Sequence, residues 1–290
     1  LRHCIFQCLS TAAKEKRQFT RITEAYLESN TIIALQEDRF LETENGWLKM
    51  NLAISKNSVD TSSYISELCQ QKNKDYEQYY PLVKVLSDRN SINNTRLMAD
   101  LEKTLYPAKI TDATIPTFVI PIKPWWAQNL FDKELAEATL FGAKEELALR
   151  RELVYYRSRK PSGGLEAPGR ILWYVSKDND SENSSYIVSA IRACSRIDEI
   201  VIGKPKELYK RFRRLGIYEF KNVLQTAKND LEREIMAIKF SDTELFSKPI
   251  ELIEIQQIVE QKVSFQWPYR ITPNAFSIIY NIGTSNLTEK

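Results

Sequence analysis

The stretch Glu234-Ile-Met-Ala-Ile-Lys-Phe-Ser-Asp-Thr-Glu-Leu-Phe246 constrains the fold most. Its first half alternates like a strand, in which successive side chains point to opposite faces. It then meets the polar cluster Ser241-Asp242-Thr243, which reads as a strand-to-helix turn, with Phe246 and Pro249 opening a helical run. Two segments are suited to pair with this strand: Arg170-Ile-Leu-Trp-Tyr-Val-Ser176, and Tyr186 to Gly203. The expected result is a small α+β barrel in the C-terminal half, with helices inserted between strands and a polar, aromatic mouth.

From Pro116 onward the pattern supports that expectation. Thr117–Ile122 reads as a strand in which Pro121 cannot donate to a ladder. Pro124-Trp125-Trp126 starts a short helix, since proline suits a first helical turn. Leu135–Phe141 is a helix stopped by Gly142, Leu153–Ser158 a strand, and Lys160–Gly164 a loop. A polar loop runs through Ser185 to the Tyr186–Gly203 strand. Lys206–Leu215, Glu219–Ala227, Ile250–Val259 and Pro273–Tyr280 read as helices.

The first half divides differently. Leu1, Ile5, Cys8, Leu9 and Ala12 recur at helical spacing, so residues 2–16 form an amphipathic helix. Phe19–Tyr26 is a strand, and Ser29 or Asn30 caps a short helix through Gln36. Phe40–Glu44 and Trp47–Leu52 flank Asn45-Gly46, a pair that tolerates the positive φ angles of a type I′ hairpin turn. Residues 54–61 read as a polar linker, followed by a helix over Ser62–Gln71. Next come a tyrosine-rich patch around Pro81, read as packing, and a helix over Thr95–Leu105 capped by Asn94. The expected domains are 1–55, a connector over 56–115, and 116–290.

Asn30-Thr-Ile-Ile-Ala-Leu-Gln-Glu-Asp-Arg-Phe40, followed by Glu44-Asn-Gly-Trp-Leu-Lys-Met-Asn-Leu52, resembles the C-terminal half of the GCN5-related N-acetyltransferase fold. The resemblance implies a partial α/β segment with acetyl-CoA as cofactor only if an upstream half supplies the glycine-rich pyrophosphate loop. Leu35 stands where that family usually has a Tyr general acid, and Arg39 replaces the Gly before Phe40. The start at Leu1 is expected to be that of a fragment.

Three further segments are similar to the C-terminal module of some bacterial acetyltransferase-linked proteins, and to the EVE and ASCH branches of the PUA-like superfamily. They are Ala193–Gly203, Met236–Phe246 and Phe265–Phe276. That resemblance covers roughly residues 116–285. It implies a pseudo-barrel binding RNA or modified DNA bases, and some ASCH members are amidohydrolases on modified nucleosides.

The residues themselves supply candidates for such binding. Net charge is only +3, so the concentration of Lys204, Lys206, Lys210, Arg211, Arg213 and Arg214 against one acid, Glu207, is local and unusual for the chain. A helix of this kind neutralises phosphates without reading bases; the alternative is a solvated amphipathic face. Tyr156, Trp173 and Trp267 are aromatic candidates for base stacking, or else core residues. Arg157, Ser195, Arg196, Lys239, Ser241, Asp242 and Thr243 are the polar candidates. Arg157 and Arg196 have an alternative as ion-pair partners of acids such as Asp198 or Asp242. Lys239, Asp242 and Thr243 also form a faint hydrolase grouping, with alternation placing Lys239 and Ser241 on one face. His3 is the only histidine, which argues against zinc or Ser-His-Asp chemistry. Cys4 and Cys8 are read as reduced cysteines on a buried helix face rather than metal ligands.

No apolar run approaches the ~20 residues a membrane helix needs, and the cysteine spacing is no disulfide framework, so a cytoplasmic protein is expected. Three functions remain open. The first is a nucleic-acid-binding module. The second is an acetyltransferase completed from outside this chain. The third is a toxin–antitoxin or phage-defence subunit that meets a protein partner through residues 1–55.

Overall fold

The computed structural model describes residues 2–24, 26–71, 74–132, 151–176 and 189–284. The chain divides into two units, Leu1–Ile115 and Pro116–Lys290.

The first unit begins with α1 (Arg2–Lys14), β1 (Phe19–Ile22), α2 (Ser29–Glu37), β2 (Leu41–Thr43) and β3 (Gly46–Met50). The strands form an antiparallel sheet in the order β1-β3-β2. The hairpin is present, but its turn is not type I′. Of Asn45 and Gly46, only Gly46 takes a positive φ, +101°, the pattern of a turn followed by a bulge glycine. A Cβ there would lie 2.2 Å from the Ile22 carbonyl oxygen. The position before α2 is Glu28, which makes no side-chain cap, so neither Ser29 nor Asn30 serves as the N-cap. Helix α1 buries Ile5 and Leu9 and leaves Cys4 and Cys8 exposed, the reverse of the expected placement of the cysteines.

Residues 54–61 are not a linker. Within them β4 (Ser55–Lys56) pairs in parallel with β5 (Lys109–Ile110). The Asn57 side chain accepts from Asp60 N at 2.8 Å and caps α3 (Ser58–Cys69). Their polarity is spent on pairing and capping rather than on solvation. A 3₁₀ turn leads to α4 (Tyr80–Ser87), α5 (Arg89–Ile92) and α6 (Thr95–Thr104). Asn94 caps α6 as expected, accepting from Leu97 N at 3.1 Å. Leu48, Met50 and Leu52 share one core with Ile65, Leu68, Tyr79, Met98 and Leu101. Tyr76 stacks on Phe19 at 3.9 Å, and the Tyr79 hydroxyl bridges Met50 N and the Leu48 carbonyl. Tyr76 and Tyr79 are therefore packing residues, while Tyr80 of the same patch is exposed.

One buried charge organises this unit. Lys49 is fully buried, and its ammonium donates to the carbonyls of Asp38, Lys103 and Thr104 at 2.7, 2.9 and 3.0 Å. These carbonyls belong to the C-terminal ends of α2 and α6, where the last carbonyls lack intrahelical donors and the helix dipole favours a cation.

The second unit contains β6 (Thr117–Ile122), α7 (Pro124–Leu130), β7 (Glu152–Ser158), β8 (Gly169–Val175) and β9 (Ala190–Gly203). It continues with α8 (Pro205–Phe212), α9 (Phe220–Thr226), β10 (Ile235–Glu251), α10 (Leu252–Ile258), β11 (Tyr269–Ile271) and α11 (Pro273–Thr284). The helix expected over Leu135–Phe141 and the polar loop through Ser185 lie outside the described residues. The six strands run in the order β11-β6-β8-β9-β10-β7, with only β6 and β8 parallel. Strand β10 pairs with β9, as expected, but its other neighbour is β7. The expected partner Arg170–Ser176 lies instead between β6 and β9.

The sheet is strongly curled. Tyr155 on β7 and Trp173 on β8 meet with ring centroids 5.5 Å apart, although β9 and β10 lie between them in the sheet order. In a flat sheet, three strand spacings would hold them ~14 Å apart. The Tyr155 hydroxyl also donates to the Pro121 carbonyl on β6 at 3.4 Å. The strands thus wrap around Trp173, Phe240, Phe118 and Ile120, giving an α+β barrel-like sheet with inserted helices. On β8, Ile171, Trp173 and Val175 face this interior, while Leu172 and Tyr174 face a second core with Phe265, Phe276 and Ile279. Burial on both faces explains why β8 reads as a continuous apolar run.

Strand β10 does not stop at Ser241-Asp242-Thr243. It continues for 17 residues to Glu251, so the expected strand-to-helix turn is a bulge inside a strand, and the next helix begins only at Leu252.

Candidate nucleic-acid interface

Two bulges face each other where β9 meets β10. Lys239 pairs with Glu199 and Phe240 with Ile197, so Asp198 is an extra residue on β9. Ser241 pairs with Arg196 and Glu244 with Cys194, so β10 also carries one extra residue, and there Asp242 has a positive φ of 53°. A bulge releases its residue from strand alternation and re-aims the side chain. Each of these two bulges releases an aspartate.

The second bulge also turns Thr243. Without it, Thr243 would share a face with Ser241. With it, Thr243 points into the barrel, where its hydroxyl lies 2.8 Å from that of Ser195. Ser195 in turn accepts from the Trp173 indole N–H at 2.8 Å. Trp173 has no solvent-exposed surface, and it touches Tyr155, Phe131 and Phe240. Ser195, Thr243 and Trp173 are thus one hydrogen-bonded chain inside the barrel.

The charges collect on the other face. Arg151 donates from Nε to Asp242 Oδ1 at 2.7 Å, and both side chains are over 90% buried. Arg196 pairs with Asp198 at 3.2 Å, the kind of pairing the sequence left open for it. Lys239 pairs with Glu152 at 2.9 Å. Burial pushes the Asp198 carboxyl up to about 6; Arg196 opposes this, Asp242 adds to it, and a Ser241 hydrogen bond and Lys239 oppose it. A carboxyl that changes charge so close to neutrality, between fixed cations, accepts hydrogen bonds when ionised and donates one when protonated.

Helix α8 adjoins this seam. Leu208 and Phe212 are its buried face, and Lys204, Lys206, Lys210, Arg211, Arg213 and Arg214 are exposed. Lys204 pairs with Glu232, and Arg211 pairs with Glu199. Glu199 lies opposite Lys239 in the β9–β10 register, and directly opposed residues share a face. The basic helix and the two-bulge seam are therefore joined through Glu199. Among the described residues, Lys206, Lys210 and Arg213 have no acid partner.

The remaining candidates lie elsewhere. Tyr156 is buried beneath α8, its hydroxyl 3.4 Å from the Leu208 carbonyl and its ring against Tyr218. Arg157 donates to the Pro161 carbonyl at 3.0 Å rather than to an acid. Trp267 is 46% exposed, before β11 and apart from the seam in the sheet order. Arg151, Asp198 and Glu199 belong to the cluster but were not among the sequence candidates. Outside the cluster, Trp125 on α7, 52% exposed, was also not among the sequence candidates.

In the first unit, Leu35, which the acetyltransferase resemblance places at the general acid, is a fully buried core residue. Among the described residues of 1–55, the exposed large apolar side chains are Tyr26 and Ile33, single exposures of the kind ordinary surfaces carry. Among the described residues no helix is long and apolar enough to cross a membrane.

No protein-family model and no curated protein matches the sequence. Among solved structures, the chain is similar to ASCH from Zymomonas mobilis, with 17% identity over 57% of this chain and 94% of that one, TM-score 0.40. It is similar to the N-terminal domain of Staphylothermus marinus McrB, with 11% identity over 58% and 94%, TM-score 0.38. A third is human THYN1 in complex with DNA containing 5-methylcytosine, with 8% identity over 60% and 99%, TM-score 0.33. At these scores the likeness carries no activity to this chain, and its fold class, α+β with helices inserted into a curled six-stranded sheet, stands on the strand register.

Proposed function

We propose that the second unit binds nucleic acid, with α8 on the phosphates and the two-bulge seam on a base, unpaired or modified. The observation that carries this reading is the join between them. A helix with three exposed cations lacking acid partners runs into a cluster of carboxylates, guanidiniums and hydroxyls through the Arg211–Glu199 pair. Phosphate contacts position a strand, and polar groups beside them read base edges. Arg196, Lys239, Ser241 and Asp198 supply both donors and acceptors for that role.

Counterion release makes such binding salt-dependent, with a slope of about −0.7 per neutralised phosphate for single strands. Fluorescence anisotropy with labelled single-stranded DNA, single-stranded RNA and duplex DNA tests the reading across a salt series. Replacing Lys206, Lys210 and Arg213 together by Ala is expected to make the slope shallower by about 2. No affinity for any of the three nucleic acids at low salt overturns the reading.

A further inference from the structure

Trp125 belongs neither to the core nor to the seam, yet it is firmly seated. It is on α7, whose Pro124, Ala127 and Leu130 are buried. The Asn129 side chain donates to its carbonyl at 2.7 Å. Its ring meets Trp126 edge-on, with centroids 4.4 Å apart. Trp126 stacks on Tyr218 at 4.4 Å, and Tyr218 meets Tyr156 at 5.0 Å. Tyr156 reaches the Leu208 carbonyl on α8. A ladder of four aromatic rings thus runs from the underside of the basic helix to one half-exposed indole.

We infer that Trp125 is a stacking platform for a base of single-stranded or locally unpaired nucleic acid whose backbone lies along α8. This rests on the nucleic-acid reading above and adds to it a recognition residue outside the seam. An indole held in place by an edge contact loses little freedom when a base covers it. Stacking also accepts any base, because every base has a flat π face. Arg213 and Arg214 lie on the turn that leads from α8 to Tyr218, and both are exposed, so this turn carries the sign a nucleic-acid backbone needs.

The test uses the full chain with a labelled single-stranded 12-mer and an abasic strand of equal length at matched salt. W125A is expected to weaken binding to the normal strand about 5- to 140-fold. It should leave the salt slope and the affinity for the abasic strand unchanged. W125F, which keeps a ring, recovers most of the loss. Unchanged circular dichroism of W125A excludes misfolding; should W125A misfold, W125F decides, and equal loss with W125F overturns the inference. If W125A binds the normal strand as tightly as the parent, the platform is refuted while the nucleic-acid reading stands. If the parent binds neither strand, that reading falls and the platform with it.

Discussion

Asp198→Asn isolates the electrostatics of the seam. Folding moves this carboxyl from an ordinary 3.8 to about 6, chiefly through burial. The difference is roughly 2 pH units, and at about 1.4 kcal/mol per unit it corresponds to about 3 kcal/mol. The opposing pulls of Arg196, Ser241 and Lys239 are already contained in the net displacement. The sign follows from proton uptake. Between these two values the folded state holds the proton more tightly than the unfolded chain. Stability from this group is therefore fully present below about pH 3.8 and lost as pH rises through about 6. The amide cannot ionise and suffers no such loss. The stability of Asp198→Asn minus that of the parent should thus climb by about 2–3 kcal/mol from pH 4 to 7 and level off above. Urea unfolding followed by tryptophan fluorescence measures it. Four of the five tryptophans, Trp125, Trp126, Trp173 and Trp267, belong to the second unit, so the signal reports mainly on the right core. A difference that stays flat over this range, or falls as pH rises, refutes the assignment of a desolvated, proton-holding carboxyl to the bulge.

Two predictions concern the first unit, whose only tryptophan is Trp47. Lys49→Met keeps most of the side-chain volume but removes the donor shared by three helix-end carbonyls, and is expected to cost about 2–4 kcal/mol, read as a lower urea midpoint in selectively excited variants lacking the other indoles. Asn94→Ala removes the side-chain cap on α6 and should cost about 1 kcal/mol in the same assay, with Asn94→Asp restoring most of it.

The strands of the second unit were legible because their cores are thick. Burial on both faces leaves a continuous apolar run such as Ile171–Val175, whose shortness and β-branched and aromatic residues mark it as a strand. The Asn94 cap was legible because its signal is local. What escaped the sequence depends on partners distant in the chain. Residues 54–61 looked like a linker because their polarity answers to Lys109, Ile110 and Asp112, some fifty residues away. Lys49 stands in a short strand, and nothing near it in sequence announces the two helix ends that converge on its ammonium.

The seam shows the same limit in sharper form. Strand alternation was the right principle for Ile235–Ser241, where interior Met236, Ile238 and Phe240 lie opposite Arg157, Tyr155 and Leu153 on β7. Carried two residues further, it would put Thr243 on the face of Ser241, whereas the bulge turns it into the barrel. A bulge is a property of two strands counted against each other, and it has no signature in either strand alone. Asp242 could adopt its positive φ because Asp tolerates that region better than most residues, but many aspartates in strands never do. The aspartate of one bulge lies beside that of the other because the two offsets occur within a few residues on neighbouring strands. Their mutual repulsion then helps hold Asp198 near neutrality. The carboxyl pair of the seam is thus created by pairing geometry, and its two members are 44 residues apart in the chain.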